Sequence, residues 1–131
     1  MAQQPIEIIL ARQWASHVSV AVFLLDAEGI LVYYNDAAAR LLGRPYEEVG
    51  DLRVWMLAET FRSLDMSGNP LPWDKMPISL ALERRRPEYL CFRYQALDGV
   101  WHDVEVTAIP IEAVGGTLLG VTALFWEVGV P

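Results

Sequence analysis

Residues 20–43 read VAVFLLDAEGILVYYNDAAARLLG, and the fold turns on them. Val20 to Leu25 is a short apolar, partly β-branched run, the composition of a strand. Asp26-Ala27-Glu28-Gly29 is a turn cluster, with Gly29 free to take positive φ. Ile30 to Tyr34 is a second apolar run of strand length, so the pair predicts a hairpin. Asn35 suits a helix N-cap, because its side-chain oxygen can accept from the exposed N–H groups of a first turn. Asp36 adds negative charge at the positive end of the helix dipole. Ala38, Leu41 and Leu42 share one stripe, and Gly43 is a C-terminal stop.

The order is strand ending in Asp26, turn ending in Gly29, strand ending in Asn35, then Ala37-Ala38-Ala39 and Leu41-Leu42-Gly43. In that order and spacing the stretch resembles the start of a PAS domain, the sensory module of signalling proteins. Further on, Gly68-Asn69-Pro70-Leu71-Pro72, Met76-Pro77 and Leu80-Ala81-Leu82 are similar to the loop and long helix of many bacterial PAS domains. The likeness spans residues 17–128.

Upstream, Pro5 to His17 carries Ile6, Ile9, Leu10 and Trp14 at helical spacing. Such a stripe must be buried, on the outer face of the sheet or against a second copy. The resemblance supports both, since PAS domains often carry a flanking helix and often dimerise through it. The expected division is therefore a flanking helix over 1–16 and a PAS-like domain over 17–131.

Downstream, Arg44-Pro45 breaks the chain and Tyr46 to Gly50 predicts one helical turn. Trp55, Met56, Leu57 and Phe61 supply apolar bulk, and Ser63 to Asp74 reads as loop. Pro77 suits the first turn of a helix running to about Arg85, where its missing N–H is not needed. Arg84-Arg85-Arg86 then complements that helix's C-terminus. Tyr89 to Ala96 and Val100 to Ile109 alternate as strands about the Asp98-Gly99 turn, with Pro110 at the end of the second. After Gly115-Gly116 the last strand, Leu118 to Trp126, is apolar on both faces, so something covers its outer side, the N-terminal helix being the nearest candidate. The reading is an α+β chain: one five-stranded antiparallel sheet with short helices over its inner face.

Composition sets the outer bounds. The 131 residues are 53% hydrophobic, which suits one domain with one core. No apolar run is long enough for a bilayer span, and no secretory leader opens the chain, so a cytoplasmic setting is expected. A single cysteine, Cys91, excludes an internal disulfide and a cysteine-rich zinc site. The formal charge of −7 argues against a nucleic-acid surface.

Catalytic signals are weak. His17 and His102 are the only side chains whose ordinary pKa lies near neutrality, and neither belongs to a catalytic motif. A histidine–carboxylate pair pointing into a water-filled cleft would overturn this reading. Haem is known among PAS domains, but the resemblance puts its axial histidine on the long helix, and residues 77–86 contain none. A cysteine-adduct flavin would need a cysteine in the helical stretch after Asn35, and residues 36–61 contain none. A non-covalent flavin or another small organic ligand stays open, with Trp55 and Trp73 as planar walls; the plainer role for both is packing. Cys91 reads as a small packed hydrophobe.

The expected ligand chamber takes Val22, Leu24, Tyr34, Phe92, Tyr94, Val104, Val106 and Phe125 from the sheet. From the helical side it takes Leu42, Trp55, Met56, Phe61, Ile78 and Leu82. The same residues would also serve as a filled core. Two readings follow, beside a third, a small α+β enzyme of isomerase or dehydratase type, for which no acid or base stands out in the chamber. One is a sensory module that binds a small apolar or aromatic ligand and relays occupancy to a kinase, phosphatase, cyclase or transcription regulator. The other is a ligand-free module whose work is homodimerisation through Ile6, Ile9, Leu10 and Trp14.

Overall fold

The computed structural model describes residues 5–43, 52–53, 56 and 61–128. The expected helical turn at Tyr46–Gly50 and Trp55 lie outside them. Helix α1 spans Ile6–Ala15, β1 Ala21–Asp26, β2 Leu31–Tyr34 and α2 Asp36–Leu42. Strand β3 is Ser63–Leu64, a 3-10 turn covers Trp73–Lys75, and helix α3 is Pro77–Arg84. Strands β4 (Glu88–Gln95), β5 (Trp101–Glu112) and β6 (Leu118–Glu127) complete the order. The strands form one antiparallel sheet, β2-β1-β6-β5-β4-β3.

The hairpin of β1 and β2 closes as expected, with Gly29 at φ 82° and the Asp26 carboxylate accepting from the Glu28 and Ile30 amides at 2.9 and 3.0 Å. Gly43 ends α2 in the left-handed region at φ 88°, where a side chain would be strained. Pro77 opens α3 at its first turn. Arg84 and Arg86 meet Glu88 at 3.4 and 2.9 Å just past that helix.

Four expectations need correction. The sheet has six described strands, because Ser63–Leu64 lies beside Tyr94 and Arg93 as a two-residue edge rather than loop. Strand β5 continues through Pro110 to Glu112. Pro110 is tolerated there because β4 ends its pairing at Ala108, so on that side no neighbouring strand needs an N–H. Within β1, the inner face carries Ala21, Phe23 and Leu25, not Val22 and Leu24. The run Ala21–Leu25 is buried on both faces, so its composition gives no alternation from which parity can be read. The last correction concerns α1. It covers the outer face of β1 and β6, but through Ile8 and Ala15, which are buried, not through the predicted stripe.

Gly120 makes that docking close. A β-carbon there would stand 2.2 Å from the Leu25 carbonyl oxygen and 3.0 Å from the Ile8 Cδ1. The missing side chain is thus a notch in β6 that admits β1 on one side and the Ile8 methyl on the other. Arg12 of α1 also lies 4.7 Å over the Tyr33 ring, tying the helix to β2.

Candidate functional site

Between the inner face of the sheet and the helices above it lies a small, partly open cavity of about 40 Å³. Phe23, Phe92, Tyr94 and Phe125 wall it from the sheet, Leu42 from α2, and Met76 and Ile78 from the start of α3. Phe61 and Ser63 close the β3 side. The aromatic walls touch one another: Phe23 and Phe125 have centroids 4.6 Å apart, and Phe92 meets Phe125 edge-on at 6.5 Å.

Two hydroxyls reach this wall, and each gives its one proton to a backbone carbonyl. The Tyr94 hydroxyl donates to the Leu41 carbonyl at 2.8 Å, and the Ser63 hydroxyl donates to the Phe61 carbonyl at 3.0 Å. Burial, with the Glu127 and Asp98 charges nearby, pushes the Tyr94 phenol up, so it stays a neutral donor. What the described walls offer a guest is therefore aromatic and aliphatic surface.

Of the residues expected to line a chamber, Leu42, Phe61, Ile78, Phe92, Tyr94 and Phe125 do come together. Tyr34, Val104 and Val106 belong to the same core but stand away from the cavity. Val22 and Leu24 point to the opposite face, beneath α1. Leu82 packs at the core margin and borders an outer groove with Ala27 and Trp73. Met56 is half-buried, its amide donating to the Arg53 carbonyl at 2.9 Å. Phe23, Ser63 and Met76 line the cavity unannounced. Correct parity in β1 would have found Phe23; Met76 was legible only as the residue before the helix-opening proline.

Ligand sites for molecules of flavin or haem size run to about 300 Å³ and more, several times the cavity. Cys91 lies on the other face of the sheet, 3.1 Å from the Tyr89 hydroxyl, which also donates to Glu105 at 3.0 Å. Trp73 is 47% exposed and is no chamber wall.

A histidine–carboxylate pair does exist. His102 Nδ1 bonds Glu127 Oε1, and the ring stacks on Tyr94 at 5.2 Å. The pair borders an open groove of about 340 Å³ with Ser19 and Arg40, separate from the apolar cavity. The carboxylate orients the imidazole, yet no nucleophile is hydrogen-bonded to it among the described residues.

Asn35 is the most heavily bonded side chain described, and it is buried. Its Oδ1 accepts from the Ala38 amide at 3.0 Å, capping α2, and from the Val22 amide at 3.1 Å. Its Nδ2 donates to the carbonyls of Ala15 at 2.9 Å, Val20 at 2.8 Å and, more weakly, Val18 at 3.4 Å.

On α1, Ile6, Leu10 and Trp14 are 65, 56 and 51% exposed, and Ile9 is half-buried. The predicted stripe thus faces away from the sheet. Among the described residues no helix is long and apolar enough to cross a membrane, and no group of three metal-ligating side chains converges.

Comparison with known proteins fits the architecture. A family model described as PAS domain matches residues 19–127. The PAS domain of Bordetella pertussis BvgS is similar in structure, with a TM-score of 0.64 at 17% identity over 93% of this chain and 85% of that one. A PAS domain from a two-component sensor histidine kinase aligns with a TM-score of 0.60 at 16% identity, over 93% and 96% of the two chains. The Rhodobacter sphaeroides LOV protein aligns with a TM-score of 0.75 at 17% identity, over 95% and 69%. No curated protein matches the chain.

Proposed function

The chain belongs to the PAS domain family, and from that premise we propose that it is a sensory module reporting on a small apolar molecule. The guest enters the space walled by Phe23, Leu42, Phe92 and Phe125, and occupancy biases an effector carried by a longer signalling protein. The observation that carries this reading is the cavity itself: apolar walls, with both bordering hydroxyls donating to backbone carbonyls. A guest with unmatched polar groups would lose hydrogen bonds to water without replacement. At about 40 Å³ the space has room for a few water-sized volumes, so an aromatic guest needs Met76 or Leu42 to swing aside. Met76 suits that role, being unbranched and adaptable.

The kinase-derived PAS domain among the similar structures supports a place in signal transduction. The module itself is read as non-catalytic, consistent with a family of sensors. Its setting is taken as cytoplasmic, and its division as a flanking helix over 1–16 before a domain over 17–131.

Titrating the protein with toluene and with indole, followed by native mass spectrometry and the NMR signals of Phe92 and Tyr94, tests the reading. A saturable shift at those rings, abolished by Leu42→Trp, supports it. No shift at the solubility limit of either probe overturns it.

A second reading has its own observation. The exposed Ile6, Leu10 and Trp14 on α1, with Ile9 beside them, form an uncovered apolar face, and a homodimer through it would bury that face. Light scattering on Ile9→Asp and Trp14→Asp decides: dimers that become monomers support this reading, and an unchanged mass removes it.

A further inference from the structure

We propose that the groove beside the His102–Glu127 pair is a binding site for a small organic anion of the arylcarboxylate class, distinct from the apolar cavity. The carboxylate head meets Arg40 and His102, and the aromatic body lies against Leu41 and Phe125. The proposal stands apart from the sensory reading and needs no guest in the cavity.

The residues arrive there by the geometry of their elements. Side chains three and four apart share a helix face. In α2 the buried Ala38 and Leu42 take the core face, so Ala37, Arg40 and Leu41 form the neighbouring one, and all three line the groove. On the sheet, every second residue of a strand shares a face. Val104 is buried in the core and pairs with Glu127, and His102 stands two residues before it. His102 and Glu127 are thus polar residues at positions of core parity, close enough to bond across the strands. They mark the place where the core ends and the groove begins.

Their chemistry suits an anion. Arg40 is exposed, and among the described residues no carboxylate pairs with it. A guanidinium can take a carboxylate through two parallel N–H bonds. An ionised carboxylate only accepts, so its bond to His102 places a proton on Nδ1. Nε2 is left as the second polar atom of the ring, an acceptor in neutral imidazole and a donor in imidazolium. The stack on Tyr94 holds the ring plane, and Ser19 adds a hydroxyl to the groove.

The charges around the ring leave room for one more anion. Glu127 faces it from β6, the neutral Tyr94 phenol from β4 and Arg40 from α2. Asp103, next along β5, is tied to Arg93 at 2.9 Å, and Asp98 does not line the groove. Two cations, Arg40 and the imidazolium, therefore stand against the single carboxylate of Glu127. Imidazole changes charge between about pH 5 and 8, so binding of the anion takes up a proton at His102. The space fits as well: about 340 Å³ falls in the range of ligand clefts, about 300–1,000 Å³.

The test titrates phenylacetate into the full chain at about pH 6 and about pH 8, read by calorimetry and by backbone amide NMR. Saturable shifts are expected at Ala37, Arg40 and Trp126, with affinity about fivefold or more higher at the lower pH. Arg40→Gln weakens binding about tenfold or more, His102→Asn removes the pH dependence, and the neutral phenylacetamide does not bind. Leu42→Trp, which fills the cavity, leaves phenylacetate binding unchanged. No saturable shift at either pH overturns the proposal, as does equal binding by Arg40→Gln or by phenylacetamide. PH dependence that survives in His102→Asn overturns it too. So does loss of binding in Leu42→Trp, which would place phenylacetate in the cavity instead. Toluene in the cavity is indifferent to Arg40→Gln, so failure here and failure of the sensory reading are told apart.

Discussion

Gly120→Ala is the substitution whose cost can be worked from the coordinates. The new methyl would stand 2.2 Å from the Leu25 carbonyl oxygen, deep inside van der Waals contact, and the obstacle is backbone that cannot rotate away. Strands β1 and β6 must part locally, weakening the rungs around Leu25–Val121 and Asp26–Gly120. Two ladder bonds at about 1 kcal/mol each make roughly 2 kcal/mol. Ile8, whose Cδ1 would be 3.0 Å from the same methyl, gives up part of a burial that is worth about 1.5–3 kcal/mol in full. Against this, alanine stiffens the unfolded chain and returns about 0.4–1 kcal/mol. The net is a loss of about 2–3 kcal/mol, within the range seen for overpacked cores. Urea unfolding followed by tryptophan fluorescence measures it. With a slope of about 1.5 kcal/mol/M, the midpoint falls by about 1.3–2 M. A midpoint equal to or above that of the parent protein would refute the close approach of β1, β6 and α1 at this point.

Three further outcomes are expected. Thr122→Val, which replaces a buried hydroxyl without a partner by an isosteric methyl, raises stability by about 1 kcal/mol; a loss of that size in thermal melts contradicts it. Arg85 closes α3 at φ 55° without being glycine, so Arg85→Gly gains up to about 1 kcal/mol in the same melts, and a net loss means the arginine contributes more than its strain costs. Asp65 accepts from the Ser67 and Asn69 amides, and chiefly the Asn69 bond holds its carboxyl below the ordinary 3.8. Its ionised form favours the folded loop, so that contribution is present above 3.8 and lost as pH falls through the lower folded value. The Asn69 amide shift, followed on acidification, must therefore turn below 3.8, and a midpoint above it is the contrary result.

Much of this was legible in the residues, and the failures share a cause. Turns and caps are local chemistry, so Gly29, Asn35, Gly43, Pro77 and Asp98-Gly99 announced themselves. Alternation located Phe92, Tyr94, Val104 and Val106 on the inner face because β4 and β5 keep polar residues on the other. Ala21–Leu25 has no polar residue to mark a face, and its parity was set by α1, a remote element. In α1 itself Ile6, Ile8, Ile9 and Leu10 surround much of the helix, so sequence offered two apolar faces. The notch at Gly120 selected Ile8. The cavity was only partly visible because Ser63 and Met76 arrive there by tertiary packing, from an edge strand two residues long and from the turn before α3.

The pairing of the first and last long strands has a mechanical consequence. Ala21, at the start of β1, is paired with Phe125, near the end of β6. Tension between the segments flanking those residues pulls across the ladder, at its outermost rung. Rungs aligned that way open one after another, like a zipper, instead of sharing the load in shear. The domain therefore yields to modest force along this direction, and α1, which spans both strands, is the first brace to be stripped.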